Sequence, residues 1–283
     1  MHQSVLQEQA VASLVTRRNG YYIDATYGRG GHTRGILAQL SPQAHLLVMD
    51  QDMAAVAHAR KHFAQDARVA VVQDNFVHLA DHVDAPIDGI LFDLGVSSPQ
   101  LDEAERGFSF HKKGPLDMRM DQSQCTTALC WLQAASEQEI ADILWQYGEE
   151  RHSRKIARRI KQALAKDALT TLELAELVAR TVGRRPGKKH PATRTFQALR
   201  IQVNQELRVL PEVLLHLPAL MQQGSRLVVI SFHSLEDRIV KHFIKDTAGL
   251  KLLAKVRPDA EECQVNRRAR SAMMRVAKVT EER

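Results

Sequence analysis

The first third of the chain alternates short apolar runs with amphipathic stretches. The runs end at Asp24 and span His45 to Val48, Val69 to Val72 and Ile87 to Phe92. Such runs are too short for helices and read as strands. Between them, Thr33 to Leu40 and Met53 to Phe63 carry helical spacing. Each run closes on polar or glycine positions: Asp24, Met49-Asp50-Gln51-Asp52, Gln73-Asp74-Asn75-Phe76 and Asp93-Leu94-Gly95. This pattern predicts a parallel sheet wound with helices. The rhythm stops after Pro99. From about Gly114 to Leu210 the spacing is helical, over Thr127 to Ala134, Glu137 to Tyr147, Ser153 to Ala165, Leu172 to Thr181 and Thr195 to Leu210. It then resumes with a helix at Val213 to Met221, a turn at Gly224, a strand at Arg226 to Phe232 and a helix at Leu235 to Lys245. Strand candidates at Leu252 to Val256 and Ala272 to Val279 follow. The expectation is one discontinuous α/β domain, 1–113 with 211–283, interrupted by an all-helical insertion at 114–210.

Chemistry concentrates at the strand ends. Gly28, Gly30 and Gly31 fall between the first strand and the first helix. Glycine permits close backbone approach to a ligand, and a helix N-terminus favours an anionic or polar group. A glycine loop alone is weak, because it often only packs a helix onto a sheet. Asp50 lies 22 positions after Gly28, where an acidic residue can accept both hydroxyls of a ribose. Its plain structural alternative is a helix cap, a role open to Asp52 as well. Asp24, Asp50, Asp74 and Asp93 all fall at carboxyl ends of strands, where ligands of such sheets bind. The dinucleotide pattern would place a third glycine at position 33, which is Thr33. The spacing therefore leans toward S-adenosylmethionine over a nicotinamide cofactor.

Composition narrows the setting. The chain has 283 residues and a formal net charge of +6. Its three cysteines, Cys125, Cys130 and Cys263, match no metal-ligand spacing, so no metal is expected and reduced core positions are. No secretory signal and no apolar run near membrane-spanning length is evident, which points to a cytoplasmic protein. The charge is uneven. Arg151 to Leu210 holds 15 Lys and Arg against 4 Asp and Glu, a balance of +11, so the remainder sums to −5. Arg151, Lys155, Arg158 and Arg159 recur at helical spacing, and Arg184, Arg185, Lys188 and Lys189 form a basic loop. A single cluster would read as solvated surface. Two beside a nucleotide-type fold favour contact with nucleic-acid phosphates.

Longer strings carry a family resemblance. They are Val5-Leu6 with His2 and Glu8, Asp24-Ala-Thr-Tyr-Gly-Arg-Gly-Gly-His32, Asp93-Leu-Gly-Val-Ser-Ser-Pro-Gln-Leu-Asp102 and Glu105-Arg-Gly-Phe-Ser-Phe110. Leu116-Asp-Met-Arg-Met-Asp121, Tyr147-Gly-Glu-Glu-Arg151 and His190-Pro-Ala-Thr-Arg-Thr-Phe-Gln-Ala-Leu-Arg-Ile201 follow. Ser231-Phe-His-Ser-Leu-Glu-Asp-Arg-Ile-Val-Lys241, Asn266 and Arg268-Ala-Arg-Ser-Ala272 complete the set, nearly end to end. In these the chain resembles the MraW family, bacterial methyltransferases of the 4-amino group of a cytidine in 16S ribosomal RNA. Ser4 replaces a usual proline, and the region after Asp246 is shorter than in many members.

The resemblance implies a Rossmann-like S-adenosylmethionine-dependent methyltransferase sheet, with RNA recognition by the helical insertion. It implies S-adenosylmethionine contacts from Gly30, Gly31, His32, Asp50, Phe76, Asp93 and Gln100. The substrate is then the decoding region of 16S ribosomal RNA, within the small ribosomal subunit. Oligomeric state stays open, with a homodimer one option. A cytosine 4-amino group gives its lone pair to the ring, so an acceptor for its protons would help localise that pair. Asp93 is the first candidate, with a second role toward the cofactor. Arg194 and His233 join Arg184, Arg185, Lys188 and Lys189 as candidates for RNA contact. Two other readings stay in play: a DNA or protein methyltransferase, and a non-catalytic RNA-binding factor.

Overall fold

The structure, a computed structural model, describes residues 4–183 and 190–281. The chain forms two compact units, Met1–Val96 with Leu207–Arg283, and Ser97–Glu206.

The first unit is built on seven strands: β1 (Tyr21–Asp24), β2 (His45–Asp50), β3 (Val69–Gln73), β4 (Ile87–Asp93), β5 (Met221–Ser231), β6 (Leu250–Val256) and β7 (Met273–Val279). Their order is β3-β2-β1-β4-β5-β7-β6. β1 to β5 run parallel, and β7 is antiparallel to both β5 and β6. The central strands are buried on both faces, which explains their largely apolar runs; buried Asp88 in β4 is the exception and accepts from Arg17 Nη1 and Tyr21 N. Alternation decides which layer each residue joins. Tyr22, Leu46, Val48, Leu91, Val228 and Ile230 pack on one face. Ile23, Leu47, Met49, Ile90, Phe92, Leu227 and Val229 pack on the other. Helices α1 (Gln7–Leu14), α2 (Gly31–Gln39) and α3 (Met53–His62) bury Val11, Ile36 and Ala59 in the first layer. The order reverses at β1, which pairs with β2 on one side and β4 on the other. That reversal places the ligand crevice at the carboxyl ends of these strands.

The second unit is helical: α4 (Ser98–Asp102), α5 (Ala128–Ala134), α6 (Glu137–Gln146), α7 (Ser153–Leu164), α8 (Thr171–Val182) and α9 (Thr193–Asn204). Side-chain oxygens cap three of them, from Thr127, Ser136 and Thr170. Residues 97–113 lie in this unit, although the strand rhythm groups them with the sheet. Polar contacts hold them there. Arg106 Nη2 donates to the carbonyls of Arg119 and Met120, both at 3.1 Å. Gly107 is seated at φ 73, and a Cβ on it would lie 2.3 Å from the Pro115 carbonyl oxygen. Gly107→Ala is therefore expected to destabilise the protein by about 2–4 kcal/mol, read as a lower denaturant midpoint. An unchanged midpoint would contradict this packing.

Two expectations need correction. The periodic run Thr195 to Leu210 is not one helix. It breaks at Gln205, which takes a left-handed φ of 51°, and a new helix, α10 (Glu206–Leu220), follows. Apolar spacing continues across the break, so periodicity alone hides it. The cysteines are not core residues either. Cys125 and Cys130 are exposed and Cys263 is partly buried, all as free thiols. The last helices of the sheet unit are α11 (Ser234–Asp246) and α12 (Ala260–Val265). Among the described residues no helix is long and apolar enough to cross a membrane.

Candidate active site

Asp24, Asp50 and Asp93 end β1, β2 and β4, Asp74 directly follows β3, and their surroundings separate them. Asp24 is buried. Its Oδ2 accepts from Thr33 Oγ1 at 2.6 Å, and burial pushes its pKa up. Asp74 binds His78 Nδ1 and His82 Nε2, each at 2.8 Å, and so is taken up locally. Asp50 accepts Gly28 N at 2.8 Å and Asp52 N at 2.9 Å. It thus ties the glycine loop to the end of β2. Burial, only partly offset by these two amides, pushes its pKa up to about 6. Asp52, not Asp50, caps α3, accepting from Ala54 N at 3.0 Å.

Asp93 differs from the other three. Its backbone N donates to Thr26 Oγ1 at 2.6 Å, which fixes the end of β4 against the loop after β1. Its side-chain Oδ1 is buried without a hydrogen-bond partner among the described residues. Oδ2 lies 3.4 Å from His32 Nε2, long for a good hydrogen bond. His32 is buried, and neither ring nitrogen has a hydrogen-bond partner among the described residues. Burial depresses its pKa, but the carboxylates of Asp93, Asp24 and Glu262 outweigh that, and the net shift is upward. Buried polar atoms are normally paired. His32 Nδ1 and Asp93 Oδ1 therefore leave unused hydrogen-bonding capacity at this strand end, beside the long His32 Nε2–Asp93 Oδ2 contact.

The loop between β1 and α2 is shaped by glycine and tyrosine. Gly30 has φ 71, and a Cβ there would meet the Tyr27 ring at 2.6 Å. Sequence reasoning does not single out Tyr27. Its hydroxyl pairs with His58 Nδ1 at 2.7 Å, and burial pushes its pKa up to about 12. Gly31 has a packing reason of its own, because its bare Cα faces Ser4. Phe76, just past β3, is half-buried and meets Phe92 edge-on at 5.5 Å. His233 caps α11, with Nδ1 accepting from Glu236 N at 3.4 Å and Nε2 3.2 Å from Glu236 Oε1. Phe232 stands beside Gly95, where a Cβ would lie 3.3 Å from its ring.

In the helical unit, Gln100 is buried and its Oε1 accepts from Ser97 N at 2.9 Å, a capping role at the start of α4. Arg194 is exposed, with Nη1 donating to the Glu149 carbonyl at 3.0 Å. α7 buries Ile156, Ala157 and Ile160 and exposes Arg154, Lys155, Arg158 and Arg159. Lys161, on the same helix, instead donates to the carbonyls of Gln133 and Ala135 at the end of α5. Arg184, Arg185, Lys188 and Lys189 lie outside the described residues, as does His2.

The crevice fits S-adenosylmethionine. Asp93 Oδ1 is a buried acceptor without a partner among the described residues, each Asp50 carboxylate oxygen accepts one backbone amide and keeps a further lone pair, and the glycine loop follows the strand that lies between theirs. Residues 1–280 match the MraW methylase family. The chain belongs to that family. Among relatives of this MraW-family chain is the ribosomal RNA small subunit methyltransferase H of Stenotrophomonas maltophilia (strain K279a). It is 48% identical, covering 99% of this chain and 94% of the relative. The protein of the same name from Hydrogenovibrio crunogenus is also 48% identical, covering 98% and 96%. Among solved structures, a putative rRNA-methylase from Clostridium thermocellum aligns with TM-score 0.50 at 10% identity, covering 100% of this chain and 99% of that one. At that identity the likeness speaks for the fold alone.

Proposed function

We propose that this chain transfers a methyl group from S-adenosylmethionine to the 4-amino group of a cytidine in the decoding region of 16S ribosomal RNA. The observation that carries the reading is the orphaned Asp93 Oδ1 beside buried His32, at the end of the central strand. The names of its relatives support a small-subunit ribosomal RNA substrate. S-adenosylmethionine supplies an electrophilic methyl group on a sulfonium.

The chain's own residues do the rest. Asp50 accepts the ribose hydroxyls and the Gly28–Gly30 loop admits the methionine end. Asp93 accepts a proton of the target amine, which localises the nitrogen lone pair and holds the nucleophile near attack distance, about 3–3.5 Å. The amine carries one proton too many once its new bond forms, and the Asp93 carboxylate is placed to take it. The base must leave its stack to reach the crevice. The exposed cations of α7 and the basic loop grip the RNA backbone while it does.

Asp50 gives two testable consequences. Asp50→Ala should weaken S-adenosylmethionine binding by about 1.5–3 kcal/mol, the range of a charge-assisted hydrogen bond, with RNA affinity nearly intact. Calorimetry showing unchanged cofactor affinity in the folded variant would remove Asp50 from the site. The second consequence is a pH dependence. With a folded pKa of about 6 against an ordinary value of 3.8, Asp50 is protonated in the ligand-free protein below about pH 6. Its contribution to the stability of that form is complete below 3.8 and is lost as pH rises through about 6. The ionised carboxylate is the better acceptor, so the cofactor dissociation constant should rise up to about tenfold per unit as pH falls below about 6. Asp50→Asn should flatten that limb, and a limb that persists would assign it to another group.

A further inference from the structure

Gly31 and Gly35 lie one turn apart on α2 and present a bare surface to the N-terminal segment. A Cβ on Gly31 would lie 2.0 Å from Ser4 Oγ, and one on Gly35 would lie 2.8 Å from Val11 Cγ2. Gln7 Nε2 donates to the Gly31 carbonyl at 2.7 Å. The segment therefore rests on the residue between Gly30 and His32. Val5 and Leu6 bury their side chains in the first core layer, and the segment's polar anchor is distant in sequence. Leu6 N donates to Glu262 Oε1 at 2.8 Å. Leu6 has φ 53 and ψ 31, a left-handed conformation that a leucine keeps only where its surroundings over-determine it. Glu262 lies on α12, a helix with no buried residue, capped by Asp259, whose Oδ1 accepts from Glu262 N at 2.8 Å. The helix meets the first core layer through partly buried Cys263 and adds the polar contact of Glu262 to the N-terminal segment.

We propose that Glu262 is a positioning residue that latches the Ser4–Leu6 segment over the first turn of α2 and so fixes the Gly28–His32 loop around the cofactor. The proposal rests on the reading that this loop holds S-adenosylmethionine. Local segments open at a free energy set by the contacts that hold them. With the latch gone, the segment frays, Ser4 leaves Gly31, and the Gln7 hydrogen bond to the Gly31 carbonyl weakens. The loop then opens more often, and bound cofactor leaves faster. Glu262 contacts neither Asp93 nor Asp50. Its charge, which helps raise the His32 pKa, is lost equally in Glu262→Gln and Glu262→Ala. A difference between those two therefore reports the latch, and turnover at saturation should match between them.

Three variants test it. Glu262→Gln keeps an acceptor for Leu6 N, Glu262→Ala removes it, and Gln7→Met removes the donor to Gly31 with little change in size. S-adenosylmethionine dissociation is followed in each, together with hydrogen exchange of residues 4–14 and 28–32 in the ligand-free protein. Glu262→Ala should speed dissociation and raise KM for the cofactor by about tenfold, the equivalent of one charge-assisted hydrogen bond, with kcat matching that of Glu262→Gln. Gln7→Met should act in the same direction, and Glu262→Gln should stay within about twofold of the parent protein, since its amide oxygen still accepts. Exchange should rise in both segments in Glu262→Ala and stay low in Glu262→Gln. Equal losses in the Gln and Ala variants would place the effect in charge, not in the latch, and overturn the proposal. So would unchanged exchange in Glu262→Ala. If the parent protein does not bind S-adenosylmethionine, the cofactor reading fails and this role of Glu262 fails with it, whereas binding with unaltered dissociation in Glu262→Ala overturns the latch alone.

Discussion

Asp93→Asn is expected to lower kcat for RNA methylation by about 10²–10⁴-fold, the range for removing a proton-accepting group from a reacting centre. Cofactor affinity should fall far less. The expectation follows from the one carboxylate of the four whose Oδ1 has no partner among the described residues. The substitution is nearly isosteric, so Thr26 still receives the backbone N–H and the end of β4 stays in place. It also removes one of the carboxylates that raise the His32 pKa, which should therefore fall, a shift visible by NMR. Single-turnover rates at saturating cofactor separate the two roles. A variant with normal kcat and weak cofactor binding would make Asp93 a binding residue only.

The second large effect concerns α7. Four of its five exposed positions, Arg154, Lys155, Arg158 and Arg159, are cationic, and the fifth is Gln162. Within the protein they gain little. Arg158 reaches Glu137 at 3.4 Å and Arg159 reaches Gln162 at 3.4 Å, on an exposed face. Like charges four residues apart cost about 0.2–0.5 kcal/mol per pair, and cations near a helix N-terminus oppose the helix dipole. A polyanion reverses both penalties. Replacing all four with Gln should flatten the dependence of log affinity on log salt by about 0.7–0.9 for each phosphate no longer engaged, or about 3–4 if all four side chains grip RNA. Replacing Arg184, Arg185, Lys188 and Lys189 with Ala should act the same way. An identical slope in parent and variant would make either cluster ordinary solvated surface. Cofactor affinity should not change in either case.

The sheet was legible because parallel strands buried on both faces leave short apolar runs, such as Leu46 to Met49, closed by Asp50. Helices with a Ser or Thr cap, such as α6 and α8, were equally plain. The break at Gln205 was not, because a left-handed residue leaves no mark in an apolar periodicity that continues past it. The candidate site was legible in its positions more than in its roles. Asp24, Asp50, Asp74 and Asp93 read alike in the sequence. Only three-dimensional partners show that Asp74 is held by two histidines while Asp93 Oδ1 is left open. Tyr27 and Glu262 left no signal, since one acts through a ring against Gly30 and the other through a contact 256 residues away in sequence.

Methyl transfer to a cytidine amine can be read in a single assay. Purified protein is incubated with small ribosomal subunits from cells lacking it and with methyl-labelled S-adenosylmethionine. The 16S ribosomal RNA is then digested and analysed by mass spectrometry. Label is expected in N4-methylated cytidine within a decoding-region fragment, with an initial rate lower by about 10²-fold or more in Asp93→Asn. Label on a ring carbon, on another nucleotide or on a ribosomal protein, or no label in RNA at all, would contradict the proposed reaction.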